Sequence, residues 1–193
     1  MTKSDIKNPI IEGKVVKQTE IPNCGQLTIR YPTYADAAVM TDYINDLSNE
    51  RTYVTFQGEK MTLEDEQSFL KAELKKINDK ESTMLLAFID DQLIGISAIQ
   101  PKSKVSMHEG VFGISISKQF RKKGIGELLF SSIIDEAQNI STLRLITLEV
   151  FSINKAALRL YHKFGFIEYG TLPGGIYYNN DYCDNIYMYK KIS

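Results

Sequence analysis

Residues 118–126 read Lys118-Gln119-Phe120-Arg121-Lys122-Lys123-Gly124-Ile125-Gly126. Three consecutive cations stand against a glycine pair, directly after an alternating segment and before a helical one. The pattern suits an anion, above all a phosphate. The unpaired N–H groups of a helix's first turn, with the positive end of the helix dipole, attract negative charge. Glycines leave no Cβ to hold a phosphate off the backbone, and the cations add charge that the whole chain lacks. Two other phosphate patterns are absent: no Gly-Lys-Ser/Thr follows, and the first glycine of a dinucleotide fingerprint is missing. A glycine pair near a helix start is by itself more often a plain turn, so the context has to decide.

That context lies downstream, where Leu148-Glu149-Val150-Phe151-Ser152-Ile153-Asn154-Lys155-Ala156-Ala157 leads into Leu160-Tyr161-His162-Lys163-Phe164-Gly165-Phe166. Asn154 reads as an N-cap, worth about 1 kcal/mol to the helix after it. Tyr161, between Leu160 and Phe164, reads as a core tyrosine with a satisfied hydroxyl. Gly165 ends the helix in a left-handed conformation. Together with Arg121-x-x-Gly124-x-Gly126 after a strand, these residues resemble the GNAT superfamily of N-acetyltransferases. The resemblance runs in element order from about Leu27 to Ile192 and is sharpest from Ile114 to Phe166.

It implies an α/β (α+β) fold, a central twisted mixed β-sheet flanked by helices that binds acyl-CoA. It further implies that Arg121, Lys122, Lys123, Gly124, Ile125, Gly126 and Glu127 hold the pyrophosphate of CoA, mainly through backbone N–H groups. Ile114, Ser115 and Ile116 match the strand whose backbone pairs with the pantetheine arm, a form of strand addition. Asn154 would contact the same arm, and Tyr161 would sit beside the thioester sulfur.

Acetyl transfer to an amine needs a neutral nitrogen, a polarised carbonyl and a route for discharging the thiolate. Tyr161 can supply the proton, and N–H groups at the end of the Ile114–Ser117 strand can stabilise the oxyanion. Glu149 is the first candidate for the base. It precedes Tyr161 by twelve residues, a spacing that also occurs in the ribosomal-protein N-terminal acetyltransferases of this superfamily. The alternation of Leu148-Glu149-Val150 equally allows a solvent-facing side chain. Glu109 is the second candidate and His108 the third, although a lone histidine is more often a surface residue. Tyr177, Tyr178, Tyr182, Tyr187 and Tyr189 cluster where the first two helices and the last hairpin would enclose the acceptor, and could hold an ammonium by cation–π contact. They are also simply good strand formers. Asp184 carries no more than a structural role.

The expected function is transfer of the acetyl group of acetyl-CoA, as co-substrate and with no metal, to a primary amine. The amine belongs to a small molecule or a protein, and attack is direct in a ternary complex. The alternative from another class is a non-catalytic acyl-CoA-binding regulatory module, which Tyr161 argues against.

The elements that would position these residues follow from periodicity. Leu27–Arg30 alternates before Pro32 and reads as a first strand. Ala35–Leu47 and a segment opening at Thr62-Leu63-Glu64-Asp65 read as helices, the second with a capping-box start. Met84–Ile89 and Leu93–Ile99 form strands around a short polar connection. Gly110–Ser117 alternates a greasy face (Phe112, Ile114, Ile116) with a small one (Val111, Gly113, Ser115, Ser117). Ile125, Leu128, Leu129, Ile133 and Ala137 mark a helix, Leu143–Val150 a strand, Lys155–Phe164 a helix and Asn185–Tyr189 a closing strand. Residues 1–23, polar and with only a short strand signal at Val15-Val16, read as an extension, and residues 24–193 as the domain.

The bulk numbers frame this reading. The 193 residues suffice for one domain with its own core, and 43% hydrophobic against 24% charged is a globular profile. A net charge of −1 offers no field for nucleic acid or an anionic membrane. No apolar run reaches a bilayer's length, and no signal-peptide core opens the chain, so a cytoplasmic location is expected. Cys24 and Cys183 match neither a zinc spacing nor a disulfide framework and read as reduced thiols. A homodimer remains open.

Overall fold

In the computed structural model, which describes residues 11–192, the first half of the chain supplies β1 (Val15–Ile21), β2 (Gly25–Arg30), α1 (Ala37–Asn49), α2 (Leu63–Asn78), β3 (Thr83–Ile89), β4 (Gln92–Pro101) and β5 (Glu109–Ile116). The second half supplies α3 (Ile125–Ala137), β6 (Leu145–Phe151), α4 (Lys155–Lys163), β7 (Ile167–Tyr178) and β8 (Asp181–Lys191). The strands form one mixed sheet in the order β1-β2-β3-β4-β5-β6-β8-β7. Every residue of β3 is buried, as a continuous apolar strand covered on both faces should be. Thr62 caps α2 by accepting the Asp65 N–H at 3.2 Å, as the spacing requires.

Two strands depart from the sequence reading. Residues 15–21, assigned there to the extension, pair along β2 from Val15↔Arg30 to Ile21↔Gly25. The sheet thus starts before residue 24. Val-Val-Lys-Gln-Thr-Glu-Ile carries few apolar residues because an edge strand has little surface to bury. Residues 1–10 of the expected extension lie outside the described residues. β7, the first strand of the last hairpin, was given no bounds in the sequence reading, and it carries Gly170, Pro173, Gly174 and Gly175, which weaken a strand signal. On an outer strand the missing proline donor is tolerated, and the irregularity is absorbed by register shifts at Glu168/Gly170 and Leu172/Ile176.

The feature that positions the site is the join between β5 and β6. β5 pairs with β4 along its whole length, and β6 pairs with β8 from Leu145↔Lys191 to Phe151↔Asn185. Between themselves β5 and β6 are parallel and meet only at Glu109↔Leu145, Gly110↔Ile146 and Val111↔Thr147. Beyond Val111 and Thr147 they part.

Under that split lies an aromatic cluster. Phe112 of β5 packs on Phe130 of α3 with ring centroids 4.8 Å apart, Phe130 on Phe164 at 4.2 Å, and Tyr161 of α4 lies 6.0 Å from both Phe112 and Phe166. α1 lies on the other face, where the Tyr43 hydroxyl meets the Ser115 Oγ at 2.9 Å.

α2 buries two acids. Glu73 takes a hydrogen bond from the Ser82 hydroxyl at 2.6 Å, whereas Oε1 of Glu66 has no partner among the described residues. Burial pushes the Glu66 carboxyl above its ordinary 4.5. Below 4.5 both the folded and the unfolded chain hold the proton. As the pH rises past that value only the unfolded chain releases it freely, so stability is lost until the folded carboxyl ionises too. Glu66→Gln should therefore match the parent in denaturant unfolding at acidic pH and exceed it at neutral pH.

Candidate active site

The backbone geometry of β5 decides which of its groups face the gap. Lys102 N–H donates to Glu109 C=O at one end of the β4–β5 ladder and Ser117 N–H to Ile94 C=O at the other, both at 2.8 Å. In an antiparallel pair every second residue bonds the partner. Val111, Gly113 and Ser115 are therefore taken by β4, while Ile114 and Ile116 turn their backbone groups toward the gap. This corrects two expectations. Ser115, placed with the pantetheine contacts, has its backbone bound to β4 and its hydroxyl to Tyr43. The Ser117 N–H, at the end of the strand, is already used and cannot serve an oxyanion.

The turn from β5 to α3 has the features that the sequence reading linked to an anion. Lys122 and Gly124 both take left-handed backbone conformations, at φ 62° and 80°, and Gly124 is the N-cap of α3. None of the N–H groups from Lys122 to Gly126 donates to an acceptor among the described residues. A Cβ built on Gly124 or on Gly126 would meet no atom within 4 Å. Packing within the chain thus does not demand a glycine at 126. These N–H groups and the open glycine positions are the features that suit an anion.

The charges divide differently from the sequence reading. The Arg121 guanidinium forms a two-pronged pair with the Glu50 carboxylate at the end of α1, and its Nε donates to the Ile116 carbonyl at 2.8 Å. Arg121 therefore ties α1 to β5 and shapes the turn, and its charge is already matched. Lys123 lies against the Phe120 ring and the Cys24 thiol, Nζ to Sγ 3.2 Å. Glu127 pairs with Lys163 at 2.6 Å, joining α3 to α4. Ile125 is fully buried and offers only its N–H. Lys122 is exposed.

Asn154 caps α4 by accepting the Ala157 N–H at 3.2 Å. Tyr161 is 7% exposed and enclosed by Phe112, Phe130 and Phe166. Its hydroxyl makes no hydrogen bond among the described residues, and burial holds it well above the usual tyrosine range. It is fully protonated at neutral pH.

Glu149 is exposed, and its Oε2 accepts a 2.6 Å hydrogen bond from Nδ2 of Asn185. The second candidate base is spoken for. Glu109 meets Lys102 Nζ at 2.5 Å and the Thr147 hydroxyl at 2.8 Å, and the lysine bond holds its carboxyl below the ordinary range. The His108 side chain is exposed, while its carbonyl accepts from Arg144 and Leu145.

Of the five tyrosines expected around the acceptor, Tyr178 joins the segment after α1. Its hydroxyl donates to the Arg51 carbonyl at 2.8 Å, and its ring sits with those of Tyr53 and Phe151 at 5.4 and 5.5 Å. Tyr187 and Tyr189 pack on Tyr169, and Tyr177 stacks on Tyr182 at the exposed hairpin end. Asn185, Glu50, Tyr53 and Phe151 were not foreseen. Each gains its place by register or by a contact between distant elements, which no local spacing announces.

Comparison with known proteins gives the arrangement its family. Residues 41–166 match the model of the acetyltransferase (GNAT) family. The chain belongs to that family. It is an acyltransferase that depends on acetyl-CoA. Among curated proteins it is similar to an L-amino acid N-acetyltransferase of Escherichia coli, 30% identical over 54% of this chain and 65% of that one. It is also similar to a spermidine N(1)-acetyltransferase of Vibrio cholerae, 28% identical over 85% and 92%. A solved GNAT acetyltransferase from Streptococcus pneumoniae superposes with a TM-score of 0.80 at 31% identity, covering 86% of this chain and 99% of the other.

For a GNAT turn of this shape, Gly126→Ala separates packing from binding. The added methyl meets no protein atom, and alanine favours a helix by about 0.5–1 kcal/mol. Thermal unfolding without ligand should be unchanged or slightly later, while calorimetric titration with CoA should show at least about tenfold weaker binding.

Proposed function

We propose that this GNAT acetyltransferase transfers the acetyl group of acetyl-CoA to a primary amine by direct attack in a ternary complex, with Glu149 as base and Tyr161 as acid. One observation carries the reading: the two side chains flank the same split from opposite faces of the sheet. Gly110 is in register with Ile146, so Glu149 shares the face of Gly113 and Ser115, on which α1 lies. Tyr161 packs against Phe112, on the face of α3 and α4. An amine reaching the gap from the α1 side meets the carboxylate, and a sulfur at the gap meets the hydroxyl.

Acetyl-CoA supplies the acyl group and the thiol that leaves. The N–H groups of Lys122 to Gly126 bind its pyrophosphate, and the exposed Lys122 adds charge. The unpaired N–H groups of Ile114 and Ile116 serve the pantetheine arm and the thioester oxygen. Asn154 borders the same arm from the start of α4. Glu149 takes the proton from the incoming ammonium at Oε1, since Oε2 is held by Asn185. The Tyr161 hydroxyl, which has no hydrogen-bond partner among the described residues, donates to the departing sulfur, and the second proton that the nitrogen sheds as the amide forms restores it. Tyr53, Phe151 and Tyr178 form an aromatic wall beside Glu149. Named relatives acetylate an amino acid, spermidine and the alanine terminus of a ribosomal protein, all amines.

Mixing the protein with acetyl-CoA and a panel of amines, and following free thiol, tests the activity. CoA binding with no amine-dependent thiol above background would leave only the regulatory module. In the same assay Tyr161→Phe should lower kcat about 100-fold or more and leave the KM for acetyl-CoA nearly unchanged. An equal loss in both would reduce Tyr161 to packing.

A further inference from the structure

Asn185 lies on β8 directly opposite Phe151 and one step along from Tyr187, the partner of Glu149. That makes it a diagonal neighbour of Glu149 on the α1 face of the sheet. It is 7% exposed, its Nδ2 donates to Glu149 Oε2 at 2.6 Å, and its Oδ1 is buried with no partner among the described residues. A buried amide with an orphaned oxygen is a worse choice for stability than an apolar side chain of the same size. The fold therefore gives no reason for the amide, whereas the carboxylate beside it does.

We propose that Asn185 is a positioning residue for proton removal: by holding Oε2 of Glu149 it fixes the plane of the carboxylate and leaves Oε1 as the atom that receives the acceptor's proton. The assignment rests on the reading of Glu149 as the base. Only this orientation of the amide suits an ionised Glu149, because a reversed amide would set two acceptors against each other at 2.6 Å. Once Oε1 has taken the proton the bond to Oε2 persists, so the same geometry serves both states of the carboxyl.

Four variants of the full chain test this: Asn185→Leu, Asn185→Asp, Glu149→Gln and the double variant Asn185→Leu/Glu149→Gln. Each is followed by thermal unfolding and by kcat against pH with an accepted amine. Asn185→Leu should unfold no earlier than the parent yet lose about 10- to 100-fold in kcat, with the KM for acetyl-CoA unchanged. Asn185→Asp sets a second carboxylate beside Glu149, so the rising acid limb of its profile should move to higher pH. The double variant should be no slower than Glu149→Gln alone. Parent-like kcat in Asn185→Leu, or losses that simply multiply in the double variant, would overturn the role of Asn185 while leaving Glu149 in place. Should Asn185→Leu fail to fold, an unmoved acid limb in Asn185→Asp overturns it instead. Parent-like kcat in Glu149→Gln would remove the base itself.

Discussion

Everything in the site depends on the failure of β5 and β6 to stay together beyond Val111 and Thr147. Each strand is committed on its far side, β5 to β4 and β6 to β8, over its full length. The sheet therefore consists of two well-paired halves joined by a short parallel contact. Beneath the wedge, on the face of α3 and α4, Phe112, Phe130, Tyr161 and Phe166 pack together. Unpaired backbone groups on an open strand edge are costly unless water or a ligand satisfies them. Under the proposed reading the gap with Ile114 and Ile116 along one side receives the pantetheine arm, an extended chain of alternating donors and acceptors.

The turn at the end of β5 draws on the same economy of unpaired groups. Arg121 is the residue that a sequence reader credits with charge, yet its guanidinium is divided between Glu50 and the Ile116 carbonyl. It closes the one acceptor of Ile116 that would otherwise face the gap and fastens α1 where β5 ends. Under the proposed reading, attraction for an anion comes instead from the consecutive N–H groups of Lys122 to Gly126, which have no acceptor among the described residues, from the helix dipole and from Lys122. These terms are short-ranged, and they fit a protein whose net charge of −1 provides no long-range pull.

The order of most elements, the glycine-bearing turn before α3, the caps at Thr62 and Asn154 and the buried position of Tyr161 were legible because each is written in neighbouring residues. An alternating strand, a glycine pair and an Asn before Lys-Ala-Ala carry local physics. β1 and β7 were not legible, because outer strands need neither alternation nor an absence of proline and glycine. The partners of the candidate acids and bases were invisible for another reason. Glu50 with Arg121, Asn185 with Glu149 and Lys102 with Glu109 are set by register and by packing between elements. The spacing to Tyr161 ranks Glu149 ahead of Glu109 in the sequence, but the lysine beside one and the amide beside the other are visible only in the structure.

The burial of Tyr161 bears directly on how it could act as an acid. A phenol ordinarily holds its proton more tightly than a thiol by about 1.5 pKa units, a deficit of about 2 kcal/mol for giving it up. Burial enlarges that gap if the tyrosine alone is desolvated. A sulfur lodged against the same Phe112, Phe130 and Phe166 wall would be desolvated as well, and the two penalties would largely cancel, leaving the small intrinsic difference. Under the proposed reading, then, the apolar surroundings do two things at once. They keep the hydroxyl protonated and unpaired until a sulfur arrives, and they make the unpaired thiolate the species that most needs its hydrogen bond. The exposed Glu149 on the opposite face meets a different requirement: under the same reading a carboxylate open to water can pass the proton it takes on to solvent, and the Asn185 amide fixes which oxygen carries it. The sheet separates these two environments by a single strand's thickness, which is why the split, rather than either residue, is the primary device.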